Sequence, residues 1–419
     1  MLSVACSPAA GTQSLKRGSD ITIGIPLATT GGSVQEAGLT RQGYDLWLDW
    51  ANRSDGIEVQ GVRHRVRLLY ENDNSAPEVS AQVTQRMITQ QRVLFLLGPD
   101  GSTNTAAAAA VADRYHVPII ASTAAARQIF SQGFRYVYGV LASADRYPQA
   151  LIDMVSALNP RPVTAAVLTA DDAFSREATS AAIAYAVPKG FKVVFGQTYP
   201  SGLTNFDSLI QRAQATNPDM LFDVGSFLDS IAVSKAAMDL RLDAKLFGYT
   251  VGPAEPEFVR ALGKAADYVL TVSPWTAQAK YKASYYLSSA QYVAAYRKKF
   301  HTSLEPSFAV ADATAAGVAL QAAIEHAQSL NRDRVRNALA ALDINTFFGR
   351  IRFDPQGENS YRSTLVVQIQ SGRQLTVWPP ELASAMPAYP TPSWSQRLGL
   401  PPAPPKARLP GTGLPPAGS

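Results

Sequence analysis

With 419 residues, 46% of them hydrophobic, the chain is long enough for two or three domains with closed cores, which excludes intrinsic disorder for its bulk. Lys+Arg 38 against Asp+Glu 33 leaves a formal charge of +5, too dilute for a phosphate-tracking face, so nucleic acid is not an expected partner. One cysteine, Cys6, rules out an intramolecular disulfide and cysteine-built metal cages, and four scattered histidines form no H-E-x-x-H pair, so no metal or other cofactor is expected.

The first residues, Met1 to Ser7, read as the tail of an export signal and resemble a lipoprotein cleavage site at Cys6, although Leu2 lies one place too far from it; the plain alternative is an ordinary N-terminal extension. Residues 1–19 are thus expected to be a signal remnant and tether. Ile21–Ile25 predicts a strand that runs into Thr30-Gly31-Gly32, and Leu39, Gly43, Leu46, Trp47 and Trp50 mark one face of a following helix. Val66–Tyr70, Val93–Leu97, Val117–Ala121, Thr164–Thr169, Lys192–Phe195, Met220–Val224, Leu246–Tyr249 and Tyr268–Val272 repeat this alternation of apolar strand and helix, the pattern of parallel sheets buried on both faces. Long helical patterns follow at Ala290–Phe300 and Asp312–Gln328, then a predicted closing hairpin between Gly349–Asp354 and Ser363–Ile369. No run approaches eighteen consecutive apolar residues. Residues 381–419 hold 10 of the 28 prolines and predict an extended tail, either a recognition strand or an extension along the surface.

The strands fall into two sets, one before about Tyr138 and one from about Thr164, so two α/β lobes are expected rather than one large sheet. No phosphate-cradling glycine motif and no G-x-S-x-G elbow follows any strand, and no nucleophile–base pair is recognisable, so no enzyme activity is expected. Asp171-Asp172 sits where at least one acid serves as a helix cap. What stands out is small polar chemistry at strand ends. Gly98 to Thr105 follows one strand and opens an alanine-rich helix, whose first-turn amides, with Ser102 or Thr103, can either bind an anion or be capped by those hydroxyls. One β-α unit later, Ala121-Ser122-Thr123 ends the neighbouring strand, and adjacent strand ends are where open α/β sheets bind ligands.

In order along the chain, Ile23–Leu27 through Gly31, Asn52–Gly56, Asn72–Pro77, Leu97-Gly98-Pro99 through Ser102, Val117–Ser122, Asp171–Ser175, Asn205–Asp207, Asn217–Asp219, Phe348–Ile351 and Phe353–Gly357 resemble the leucine/isoleucine/valine-type periplasmic binding proteins. The resemblance implies a type I periplasmic binding protein fold: two doubly wound parallel-sheet lobes joined by a three-crossover hinge, closing like a Venus flytrap. It places an N-terminal lobe in residues 20–138 and 275–345 and a C-terminal lobe in 139–274 and 346–380. The implied function is that of a monomeric periplasmic protein, possible lipid anchoring at Cys6 included, which captures a small carboxylate or amino acid ligand for an ABC permease. A ligand sensor on the same fold is the alternative.

Carried over residue by residue, Ser102, the backbone of Ala121, Ser122 and Thr123 would hold the ligand carboxylate, while Phe174, Ser226 or Phe227, and Tyr249 with Thr250 would come from the second lobe, with Trp275 also beside the cleft. Amino-acid binders of the family resemble one another in placing an acid for the ligand ammonium after the strand Leu246–Gly248; here Thr250 stands there, which weakens the case for an α-amino acid. Glu36 could supply the charge, but as a loop glutamate it is expected to be solvated. Asp100, the other acid within reach, would sit beside the carboxylate donors and repel the anion. Phe174, Phe227, Tyr249 and Trp275 together favour a flat or apolar ligand body.

Overall fold

The computed structural model describes residues 16–279 and 281–401; Cys6 lies outside them. In chain order the elements are β1 (Lys16–Arg17), β2 (Ile21–Pro26), α1 (Val34–Ala51), β3 (Ile57–Val59), β4 (Val62–His64), β5 (Val66–Glu71), α2 (Pro77–Thr89), β6 (Phe95–Leu97), α3 (Ser102–Arg114), β7 (Ile119–Ala121) and β8 (Val137–Gly139). Then come α4 (Gln149–Ser156), β9 (Thr164–Ala170), α5 (Ala173–Ala186), β10 (Lys192–Tyr199), α6 (Asp207–Ala215), β11 (Met220–Val224), α7 (Phe227–Asp239), β12 (Leu246–Tyr249), α8 (Pro256–Leu262) and β13 (Leu270–Ser273). The chain closes with α9 (Ser289–Phe300), α10 (Phe308–Ala327), α11 (Arg332–Ala340), β14 (Asp343–Thr346), β15 (Gly349–Arg352), β16 (Leu365–Gln370), β17 (Arg373–Trp378) and α12 (Trp394–Leu398).

Two main sheets result. The first is wholly parallel, in the order β5-β2-β6-β7-β8. The second runs β10-β9-β11-β12-β13-β16-β17, parallel as far as β13 and antiparallel beyond it. Both have helices on each face, so their strands carry apolar side chains in unbroken runs; Phe95, Leu96 and Leu97 are completely buried. The chain passes between lobes three times, through residues 140–148, 274–288 and 353–364, because α9 to α11 return to pack on the first sheet.

The α1–α10 crossing holds the first lobe together. Gly43 and Gly317 let the two helices approach: a Cβ at Gly43 would lie 2.2 Å from the Val310 carbonyl oxygen, and one at Gly317 would lie 2.3 Å from the Trp47 ring. Trp47 Nε1–H then donates to Gln321 Oε1 at 3.0 Å. Among the described residues α10 alone has the length and hydropathy to cross a membrane, but 94% of its apolar window is buried here as a core helix.

One expectation is corrected. The hairpin between 349–354 and 363–369 does not form. Instead β14 pairs with β15 across Phe347-Phe348, and β16 pairs with both β13 and β17. The turn from β16 to β17 is Ser371-Gly372, with φ of +51° and +71°, the two-residue turn whose twist suits a hairpin. The proline-rich segment, as far as Pro401, packs on the second lobe. Trp394 is 2% exposed against Phe247, its indole N–H donates to the Leu242 carbonyl, and Arg397 stacks over its ring. Residues 402–419 lie outside the described part.

Candidate functional site

In each sheet the strand order reverses at one point: between β2 and β6 in the first, between β9 and β11 in the second. Connections leave such a point in opposite directions and open a crevice at the carboxyl ends of the strands. The two crevices face each other across one cavity of about 470 Å³. Ser33 and Glu36 reach it after β2, Asp100 to Asn104 after β6, Asp172 and Phe174 after β9, and Ser226 and Asp229 after β11. Tyr147 enters from the first interlobe segment and packs edge-on against Phe174, centroids 5.3 Å apart.

Several helices begin at this space, among them α1, α2, α3, α5, α7 and α10, and they differ in how their free amides are met; α1 and α2, like α3, have no side-chain cap. α5 is capped by Asp172, which accepts from the Ser175 N–H at 2.9 Å, as expected of one of the paired acids. α7 carries a complete capping box, Ser226 with Asp229. α3 has no side-chain cap. Its cap residue is Gly101, at φ +75°, and the Ser102 hydroxyl oxygen is turned away to accept from the Ala125 and Ala126 amides, both at 3.1 Å. Of the two roles open to this helix start, capping by Ser102 or Thr103 is therefore ruled out, and the first-turn amides face the cavity with the positive end of the helix dipole.

The cavity is acidic. Glu36, Asp100, Asp172, Asp229 and Glu255 line it, and no Lys, Arg or His does among the described residues. Thr123 and Thr40 donate to Asp100 at 2.9 and 3.3 Å, yet burial raises its carboxyl to about 6. Glu36 is raised to about 7, first by burial and then by the charge of Asp100, while the Phe227 backbone N–H across the cavity favours its ionised form. Glu255 is 2% exposed, and burial pushes it to about 8 although Ser307 stands beside it. One carboxylate oxygen of Glu36 and one of Glu255 are buried with no hydrogen-bond partner. Behind the cavity floor, Asp312 is fully buried with both oxygens unpaired.

Of the residues singled out from sequence, Ser102, Thr103, Thr123, Phe174 and Ser226 line the cavity, as do the acids Glu36, Asp100 and Asp172. The others do not. Ala121 is a buried strand residue, and Ser122 is fully buried with its hydroxyl bonded to Tyr44 at 2.8 Å. Phe227 is a core residue, Tyr249 shares a hydrogen bond with Ser234 at 2.7 Å, and Thr250 is fully buried. Trp275 donates to the Phe347 carbonyl at 3.0 Å inside a ring cluster with Tyr292. The aromatic lining is therefore Phe174, Tyr147 and Phe308 rather than the four rings read from the sequence.

The charge reading is corrected as well. Glu36 is not a solvated loop residue but the third residue of α1, with one oxygen sealed in the cavity. Glu255 supplies a buried acid five residues beyond Thr250, between Pro253 and Pro256 in the turn that follows β12. The signal was an acid flanked by prolines after a strand end, and no local pattern encodes its burial.

The family model for periplasmic binding proteins matches residues 20–374. A Leu/Ile/Val-binding protein homolog 7 from Brucella abortus is 21% identical over 382 residues, covering 87% of this chain and 91% of the relative. The crystal structure of the leucine-binding protein LivK from Thermotoga maritima superposes with a TM-score of 0.76 at 21% identity, over 85% of this chain and 97% of that one. A solute-binding protein from R. palustris in complex with benzoate gives 0.73 at 17% identity, over 89% and 97%. By the match along most of its length and by its pair of facing parallel-sheet lobes, this chain belongs to the periplasmic binding proteins, in the type I, branched-chain amino acid family.

Proposed function

We propose that the protein is the extracytoplasmic solute-binding component of an ABC importer, and that it closes its lobes on a small α-amino acid without converting it. A ligand that touches both lobes stabilises the closed form by its differential affinity, and that form would dock on the permease. The observation that carries the reading is the pairing, in one cavity, of the uncapped α3 N-terminus with the unpaired buried oxygen of Glu255. The first suits a carboxylate and the second an ammonium. Ser102 to Asn104 would hold the acid end through backbone amides, and Phe174 with Tyr147 would cover the side chain. A plain carboxylic acid suits the site less well, since it brings another negative charge among the acids of the lining and offers Glu255 no cation.

Calorimetric titration at pH 8 with a panel of α-amino acids, each beside the acid that lacks its amine, tests this. Amino acids should bind, the des-amino acids should bind at least tenfold more weakly, and Glu255→Gln should remove most of the difference. Equal binding of both members of every pair would reject the assignment.

A further inference from the structure

The charge balance of the cavity goes further than the presence of one ammonium site. Glu36 belongs to the first lobe and Glu255 to the second; both line the cavity, and each has one buried carboxylate oxygen without a hydrogen-bond partner, with the Phe227 backbone N–H beside the first carboxylate and Ser307 beside the second. The remaining acids of the lining are already engaged. Asp172 and Asp229 cap α5 and α7, whose dipoles offset part of their charge, and Asp100 takes the two threonine hydroxyls. A zwitterion changes nothing in this count: its ammonium cancels one negative charge and its carboxylate brings another. Bound as α-carboxylate on α3 and α-ammonium on Glu255, it would leave Glu36 closed in with Asp100 and Asp229 nearby and no cation facing it.

We propose that the ligand is a basic amino acid, with its α-amino acid end held between α3 and Glu255 and a second, distal cation on Glu36. This rests on the amino-acid reading above and names its substrate class. The distal cation would lie against Glu36, which lines the cavity from the first lobe opposite Asp229 of the second, so its binding also ties the lobes together. Such a ligand carries net charge +1 into a cavity whose described lining has no positive side chain, and that net charge is the property a neutral amino acid lacks.

The experiment compares lysine with norleucine, which is lysine without its distal amine, by calorimetry and thermal shift on the full chain at pH 8, with ornithine, arginine and leucine alongside. Lysine or one of the other basic amino acids should bind at least tenfold tighter than norleucine, and Glu36→Gln should reduce that ratio to within threefold. The ligand pair on the unmodified protein keeps the test valid if the variant does not fold. Norleucine or leucine binding as tightly as every basic amino acid would overturn this inference and leave the amino-acid reading standing. Failure of all amino acids to bind would overturn both.

Discussion

Glu255 shows how one buried side chain makes stability depend on pH. Its carboxyl titrates near 4.5 when unfolded and is raised to about 8 when folded, first by burial and then by Glu257, Glu36 and Asp100, with only Ser307 favouring the charge. A raised carboxyl binds its proton more tightly in the folded state. Its contribution to stability is full below about pH 4.5 and is lost as pH climbs to about 8. Glu36, raised to about 7, and Asp100, raised to about 6, act in the same direction. The ligand-free protein should therefore melt at progressively lower temperature from pH 5 to pH 9. Glu255→Gln, always neutral, should flatten that profile and raise the melting temperature at pH 8.5 by several degrees, corresponding to a few kcal/mol. A thermal-shift series across this range measures both, and a wild-type curve that rises with pH, or a variant less stable at pH 8.5, contradicts the assignment. Residues whose role follows from neighbours in sequence were legible beforehand: Asp172 read as a cap and is one. Glu36 and Glu255 were not, since their chemistry comes from what the fold packs around them.

At the scale of elements, the alternation of apolar strands and helices was legible because burial on both sheet faces writes itself into continuous Val, Ile, Leu and Phe runs such as Phe95–Leu97. Pairing was less so. Gly349–Arg352 and Leu365–Gln370 look alike as strands, and only the two-residue Ser371-Gly372 turn and the contact of β16 with β13 decide that they do not meet. Tertiary aromatic contacts likewise drew Phe227, Tyr249 and Trp275 into the core, although their sequence positions at strand ends suggest the cleft. Where two elements touch closely, the sequence carries a sharper mark. Gly43 sits in mid-helix, a position that costs helix stability, because α10 passes too near for any side chain. Gly43→Ala places a methyl carbon 2.2 Å from the Val310 carbonyl oxygen and 2.6 Å from the Ala313 side chain. Relief requires moving backbone rather than a flexible side chain, so the substitution should cost about 1–3 kcal/mol despite the better helix propensity of alanine. A melting temperature unchanged or raised would show that α1 and α10 separate more easily than their packing implies.

The whole molecule couples these scales through the three interlobe segments. Glu36 and Asp100 stand on one lobe and Asp229 and Glu255 on the other, so their ionisation works against closure, and a ligand cation placed among them works for it. Closure without ligand should then depend on pH: neutral acids let the lobes approach, ionised acids push them apart. Small-angle scattering at low ionic strength, where screening is weakest, should show the radius of gyration of the ligand-free protein increasing between pH 6 and pH 9. A saturating basic amino acid at pH 9 should return it to a compact value. The double variant Glu36→Gln/Glu255→Gln removes one ionisable group from each side of the cleft, so its ligand-free dimensions should change far less over the same range. It should also no longer compact when the basic amino acid is added. If the double variant keeps the full pH response, the acids of the cavity do not govern the opening, and the groups that do must lie along the interlobe segments themselves. Glu358 is the group to examine there, since it lies in the third of those segments and burial raises its carboxyl to about 7.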